Sequence, residues 1–200
     1  MRGCDEGQCP PAPAFADAAT DEALMELISQ DDALALHQLM RRYWESVVTY
    51  TRRLVGGDPD SAADIAQQVF IRLWQARKRW RPSGTVRAFI FRIAQNAASN
   101  ERRACCARSR LDENCRRDPN HPPWTPLQSL EEKELREALT AALGRLPPRR
   151  REVYRLARDH DLSYLEISTV MGISPQTVAN QMSAAVADLR RHLSAVLDER

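Results

Sequence analysis

The sequence predicts an all-α protein: two small helical domains joined by a flexible linker, the C-terminal one a helix-turn-helix. Three observations carry this prediction. Apolar residues recur at helical spacing through long stretches of the chain. Four prolines between Pro119 and Pro126 interrupt that pattern once, in a segment without periodicity. The run from Ser163 to Leu189 has the spacing of two short helices joined by a tight turn.

Residues 1–20 are rich in Pro and small residues and lack periodicity, the composition of a disordered segment. An acidic, disordered N-terminal extension is assigned to 1–30, with a helix expected to start near Asp21 and another near Asp31. DDALALHQLMRRYWESVVTYTRRLV reads as one amphipathic helix with Leu34, Leu39, Tyr43, Val47 and Tyr50 along one side. Gly56-Gly57-Asp58-Pro59-Asp60 breaks it. Asp60 or Ser61 is expected to cap the next helix, AADIAQQVFIRLWQARKRW. Ile65, Val69, Leu73 and Phe70 suit its apolar side, and Asp64, Gln67, Gln68 and Arg72 its polar side. After the loop Trp80–Thr85, VRAFIFRIAQNAASNERR forms a third helix with Phe89, Ile93 and Ala97 at four-residue spacing. Residues 31–107 thus form the first domain and 108–129 a Pro-rich linker. Residues 130–197 form the second domain, opening on a helix striped by Leu135, Leu139 and Leu143, which Pro147-Pro148 ends before a short helix at 149–157.

The net charge of +2 hides a strong asymmetry. Residues 1–36 carry one Arg against eight acids, and residues 77–117 carry twelve basic residues against three acids. A basic block of that density suits a polyanion, or else a solvated helix face. All basic residues but Lys78 and Lys133 are Arg, which offers phosphates and guanine edges a rigid fork of donors. No apolar run approaches the ~20 residues of a membrane span, and the N-terminus lacks a secretory pattern, so a cytoplasmic protein without membrane insertion is expected. The five cysteines (Cys4, Cys9, Cys105, Cys106, Cys115) fit no zinc spacing and read as free thiols. The histidines are scattered and no Gly-rich phosphate loop is present, so neither an enzyme, a metal site nor a cofactor is expected. Asp159-His160-Asp161 reads as a polar helix end.

Within the helix-turn-helix, Ser163 and Glu166 have capping-box spacing, and Gly172 suits the left-handed position that ends a helix. Ser174 caps the second helix and Pro175 takes its first position. Ile167 and Val170, then Val178, Met182, Ala185 and Leu189, face inward. Ser174, Gln176, Thr177, Asn180 and Gln181 remain for base edges and phosphates of a major groove. The second helix carries no basic residue from Pro175 to Asp188; Arg190 and Arg191 come at its far end, so this domain binds DNA weakly unless Arg149–Arg151 contribute. In the first domain Trp80, Arg81, Arg87 and Arg92 interleave with Phe89 and Phe91, and Gln95 and Asn96 follow. Aromatics beside cations hold unstacked bases of a single strand. The helix around Asp64 has a polar but non-basic side and reads as a docking face or as an ordinary amphipathic helix.

Together these segments resemble the sigma-70 family of bacterial RNA polymerase initiation factors, in the small two-domain extracytoplasmic-function type. AADIAQQVFIRLW resembles that family's core-binding helix, and RAFIFRIAQNAASNERR its promoter-melting, −10-reading helix. LGRLPPRRREVYRLARDHDLSYLEISTVMGISPQTVANQMSAAVADLRRHL resembles its −35-binding domain. The wording also resembles the subgroup linked to iron uptake. The resemblance implies core-polymerase binding by Asp64, Gln67, Gln68, Phe70 and Arg72, at the clamp helices of the largest subunit. It implies −10 contacts by Trp80, Arg81, Arg87, Arg92, Gln95 and Asn96, and −35 contacts by Ser174, Gln176, Thr177, Asn180, Gln181 and Arg190. The flap of the second-largest subunit, promoter DNA and an anti-sigma factor are the further partners it implies. A conventional regulator that binds promoter duplex without polymerase is the alternative from the residues alone.

Overall fold

The computed structural model describes residues 19–81, 84–108 and 130–198. The described residues are helical apart from short connections: α1 (Asp21–Ser29), α2 (Ala33–Leu54), α3 (Pro59–Ala76), a 3₁₀ turn (Arg77–Arg79), α4 (Val86–Arg108), α5 (Leu130–Arg145), α6 (Pro148–Arg158), α7 (Tyr164–Met171) and α8 (Pro175–Asp198). None is long and apolar enough to cross a membrane. The linker at 109–129 and the extension up to residue 18 lie outside the described residues, as do Cys4, Cys9 and Cys115.

Each boundary has a local cause. Thr20 caps α1 by accepting from the Ala23 amide, and Asp32 caps α2 by accepting from Leu34 and Ala35. Between them Asp31 takes a left-handed conformation at φ 72° and turns its carboxylate to Arg77 and Lys78. Pro59 opens α3 at a position needing no amide hydrogen, and Asp58 caps it. The cap therefore lies two residues before Asp60, because a carboxylate ahead of Pro59 reaches the Ser61 amide at 3.1 Å.

The assigned disorder of residues 1–30 is corrected over Asp21–Ser29, which is helix α1. Leu24, Met25 and Ile28 are buried, which gives so short a helix tertiary support it could not supply alone. Asp21 accepts hydrogen bonds from Arg42 and Tyr43 of α2. Burial, then the Asp21 contact, pushes the Tyr43 hydroxyl up to about 12. Leu34 is a second correction: it stands 65% exposed at the start of α2, and Ala35 begins the buried stripe that continues through Leu39, Tyr43, Val47 and Tyr50. In α4 the core face is Val86, Ile90, Phe91, Ala94, Ala97 and Ala98, whereas Phe89 and Ile93 are only partly buried. Of the residues at four-residue spacing, Ala97 joins the core while Phe89 and Ile93 lie on its flank, because α4 is enclosed by α2 and α3 on one side and by α7 on another.

The two helical groups pack together. Helices α1 to α4 form one group and α5 to α8 the other, and α4 lies against α7. One buried cluster runs from Leu24 through Phe91 to Ile167, Val170 and Met182. A smaller cluster, Ala142, Leu146, Ala185 and Leu189, holds α5 to α8.

Gly172 ends α7 at φ 64° and ψ 38°, and a Cβ there would meet nothing within 4 Å. Gly172→Ala should therefore lower the unfolding free energy by about 1 kcal/mol through backbone strain alone. Urea denaturation measures it; a loss well above that range would mean the turn is constrained by packing as well.

Candidate polymerase and nucleic-acid interfaces

Helix α3 is divided lengthwise. Ala62, Ile65, Ala66, Val69, Phe70 and Leu73 are buried, while Asp64, Gln67, Gln68, Ile71 and Arg72 are exposed. The exposed set follows the three- and four-residue intervals of one helix face. Of the five residues expected to dock on polymerase, four stand on that face. Phe70 does not: it is 3% exposed and stacks on Trp44 with ring centroids 6.1 Å apart. Ile71, which sequence reasoning passed over, takes the apolar place on the outer face at 40% exposure.

The expected −10 residues split into two groups. Arg81, Arg92 and Asn96 are exposed. Trp80 is half-buried against the apolar cluster, its amide bonded to the Ala76 carbonyl at 3.0 Å. Arg87 faces the C-terminal group, and Gln95 faces Tyr50 of α2. Arg87 donates to the Asp161 carbonyl at 3.2 Å, and Gln95 accepts from the Tyr50 hydroxyl at 2.5 Å. Thr85, at the foot of α4, lies 2.5 Å from the Glu166 carboxylate. Burial alone would raise the Glu166 carboxyl, but hydrogen bonds from Thr85 and Ser163 outweigh it and hold it below the usual range.

The seam between the groups contains Tyr50, Phe91, Glu152 and His160. Tyr50 packs edge-on to Phe91 and to His160, with centroids 5.2 and 5.4 Å apart, and Phe91 lies 4.9 Å from His160. The Tyr50 hydroxyl is also 2.6 Å from Glu152. Burial pushes the Glu152 carboxyl up, with Tyr50 and the guanidinium groups of Arg155, Arg102 and Arg53 opposing it. His160 is 8% exposed, and neither ring nitrogen has a hydrogen-bond partner. Desolvation, then the positive charge of Arg53, lowers it to about 4. Asp159-His160-Asp161 is thus a helix end whose histidine faces inward; no metal-binding cluster occurs among the described residues.

Helices α7 and α8 form the helix-turn-helix. Ser163 and Glu166 make the capping box, and Ser174 caps α8 by accepting from the Thr177 amide at 3.1 Å. Ser174, Gln176, Thr177, Asn180 and Arg190 are exposed and Gln181 is half-buried. Gln176 donates to Asn180 at 3.1 Å, which pre-orders that face. The Arg149–Arg151 run contributes less positive surface than its sequence offers. Arg150 pairs with Asp188, and Arg151 donates to the Gly144 and Leu146 carbonyls, closing the end of α5. Arg149 stays exposed.

Two family matches fall on these two groups: sigma-70 region 2 on residues 39–105 and sigma-70 region 4 on residues 136–189. A relative from Mycolicibacterium smegmatis, the ECF RNA polymerase sigma factor SigE, is 30% identical over 187 residues, 92% of this chain and 68% of that protein. The chain belongs to the extracytoplasmic-function sigma-70 family. Two solved structures share its fold. CnrH in complex with the cytosolic domain of CnrY matches at a TM-score of 0.63 and 23% identity, over 88% of this chain and 97% of that one. Bartonella quintana RpoE in complex with the anti-sigma factor NepR matches at 0.64 and 18%, over 79% and 96%. As a sigma factor the chain binds RNA polymerase and serves promoter recognition; it is a transcription initiation factor, not an enzyme.

Phe70→Ala should cost about 3–5 kcal/mol of stability, whereas Asp64→Ala and Gln68→Ala should stay within about 0.5 kcal/mol of the parent by urea denaturation. His160 sets a pH dependence. Its folded pKa of about 4 lies below the ordinary 6.5, so the unfolded chain binds the extra proton between those values and stability falls as pH drops through that window. His160→Gln removes this contribution. Between pH 7 and pH 5 the parent should lose up to about 2 kcal/mol relative to the variant; parallel curves would show that His160 titrates normally.

Proposed function

We propose that this sigma factor binds core polymerase through the outer face of α3 and places its two helical groups on the −10 and −35 elements of a promoter. The observation that carries the proposal is the exposed stripe Asp64, Gln67, Gln68, Ile71 and Arg72 on a helix whose other side is fully occupied by the core. A polar, non-basic face with one apolar residue suits a protein partner rather than DNA. In this reading that partner is the clamp-helix coiled coil of the largest subunit, and the C-terminal group meets the flap of the second-largest.

Arg81, Arg92 and Asn96, with Arg87, Gln95 and Trp80 once uncovered, hold separated bases of the −10 element. Unstacking a base costs a few kcal/mol, and a site that binds the extruded base offsets this, so melting becomes sequence-dependent. Gln176 and Asn180 read −35 base edges, with Ser174, Thr177, Gln181 and Arg190 positioning the helix. The recognition helix is weakly charged, and tethering both groups on polymerase raises their effective concentration enough to compensate. CnrH and RpoE, which share this fold, are seen in complex with CnrY and with an anti-sigma factor. An anti-sigma factor is accordingly the partner proposed for this chain.

The test combines the purified chain with sigma-free core and a promoter library, mapping starts and melted bases. Core-dependent starts are expected. Asp64→Ala with Gln68→Ala should weaken core binding about tenfold, and Gln176→Ala or Asn180→Ala should each cost about 1–3 kcal/mol of discrimination at −35 only. Duplex binding without core, and no core-dependent melting, would assign the chain to conventional regulators instead.

A further inference from the structure

From Pro175 to Asp188, helix α8 carries a single charged residue, Asp188 itself. Thr177, Gln181, Ala184, Asp188 and Arg191 follow one another at three- and four-residue intervals, which sets them along one face of the helix. That is the face proposed above to enter the −35 major groove. The N-terminal turns of a recognition helix meet base edges. An acid further along the same face has the wrong sign for the phosphates that flank the groove. Asp188 does not stand there as a bare charge. It pairs with Nη1 of Arg150, near the start of α6, and with Nη2 of Arg191 at 3.4 Å. The Arg150 Nε is buried and has no hydrogen-bond partner, so Asp188 leaves one donor of that guanidinium unmet. One carboxylate thus gathers two arginines on the groove side of α8, as a backbone phosphate would.

We propose that Asp188 is a built-in phosphate surrogate: it holds Arg150 and Arg191 on the protein and so sets how many backbone phosphates the C-terminal group engages. The inference rests on the assignment of this face of α8 to duplex DNA. Carboxylate and phosphodiester compete for the same donors, because both accept charge-assisted hydrogen bonds from a guanidinium. A duplex that takes Arg150 leaves Asp188 unpaired beside the negative backbone. A duplex that does not take it loses a phosphate contact. Either way Asp188 lowers duplex affinity. Phosphate contacts fix position and carry no sequence information. Asp188 therefore weakens binding to every duplex alike, while Gln176 and Asn180 still distinguish base edges. It acts through the two arginines and positions them; it does not itself read DNA.

The experiment uses the full chain and a labelled duplex of random sequence, which suffices because the effect is independent of sequence. Fluorescence anisotropy measures affinity between about 50 and 200 mM salt. Asp188→Asn keeps the shape of the side chain and removes its charge. It should bind roughly tenfold more tightly at the low-salt end and steepen the logarithmic salt dependence by about one to two, close to ~0.9 for each added phosphate. In an Arg150→Gln/Arg191→Gln background the same substitution should leave the slope unchanged. A pair that merely ties α6 to α8 would alter urea denaturation without moving the slope. Asp188→Ala, which suits a helix interior, replaces the Asn variant if that one loses helicity. An unchanged slope, or a slope that steepens equally without the two arginines, overturns the inference. Transcription with core keeps the two readings apart. If starts depend on Gln176 and Asn180 but Asp188→Asn leaves the slope unchanged, the surrogate role fails and the −35 reading stands. If the slope steepens through the arginines while starts ignore Gln176 and Asn180, the −35 reading fails and the surrogate role stands.

Discussion

Helix α4 is flanked by α2 and α3 on one side and by α7 on another, and Phe91 lies in the seam, against Tyr50 of α2 and His160 beyond α6. This single packing requirement governs the rest of the molecule. Burying a Phe side chain contributes about 1.5–3 kcal/mol, and Ile90, Ile167, Val170 and Met182 join the same cluster. Helix α4, which carries Arg87, Arg92, Gln95 and Asn96, is thus also the helix that joins the two halves.

Apolar contact brings the halves together without selecting an orientation; the polar bonds select it. Tyr50, Thr85, Arg53 and Arg87 each find one partner across the seam, and these partners are acids or backbone carbonyls. Such bonds are individually modest where they stay exposed, as Arg53–Asp159, Thr85–Glu166 and Arg87–Asp161 do, and stronger where burial excludes water, as at Tyr50–Glu152. Elsewhere in the fold the same charge logic has a structural use. Asp31 receives Arg77 and Lys78, and Asp188 receives Arg150 and Arg191. Arg77, Arg150 and Arg191 are thus paired with acids of the same chain.

The division of α3 shows why the two sides of a helix are only half legible from spacing. Periodicity separates two sides of a helix but does not rank residues near the boundary between them. Phe70 and Ile71 are adjacent apolar residues, and the fold buries the first against Trp44 and leaves the second outside. The same ambiguity affected α4, where Phe89 and Ile93 lie on the flank and Ile90 and Phe91 in the centre.

Local rules determined much of this protein directly from its residues. Thr20, Asp32, Ser163, Gly172, Ser174 and the prolines place helix ends because the atoms that satisfy a terminal amide or permit a left-handed turn lie within a few residues of it. The inward faces of α7 and α8 follow for the same reason, since one stripe is apolar throughout. The contact of α4 with α7, the burial of His160 and the pairing of Tyr50 with Glu152 were decided only by tertiary structure. Those residues are separated by up to 102 positions, and an unpatterned polar side chain gives no local sign of the partner it will meet across a seam.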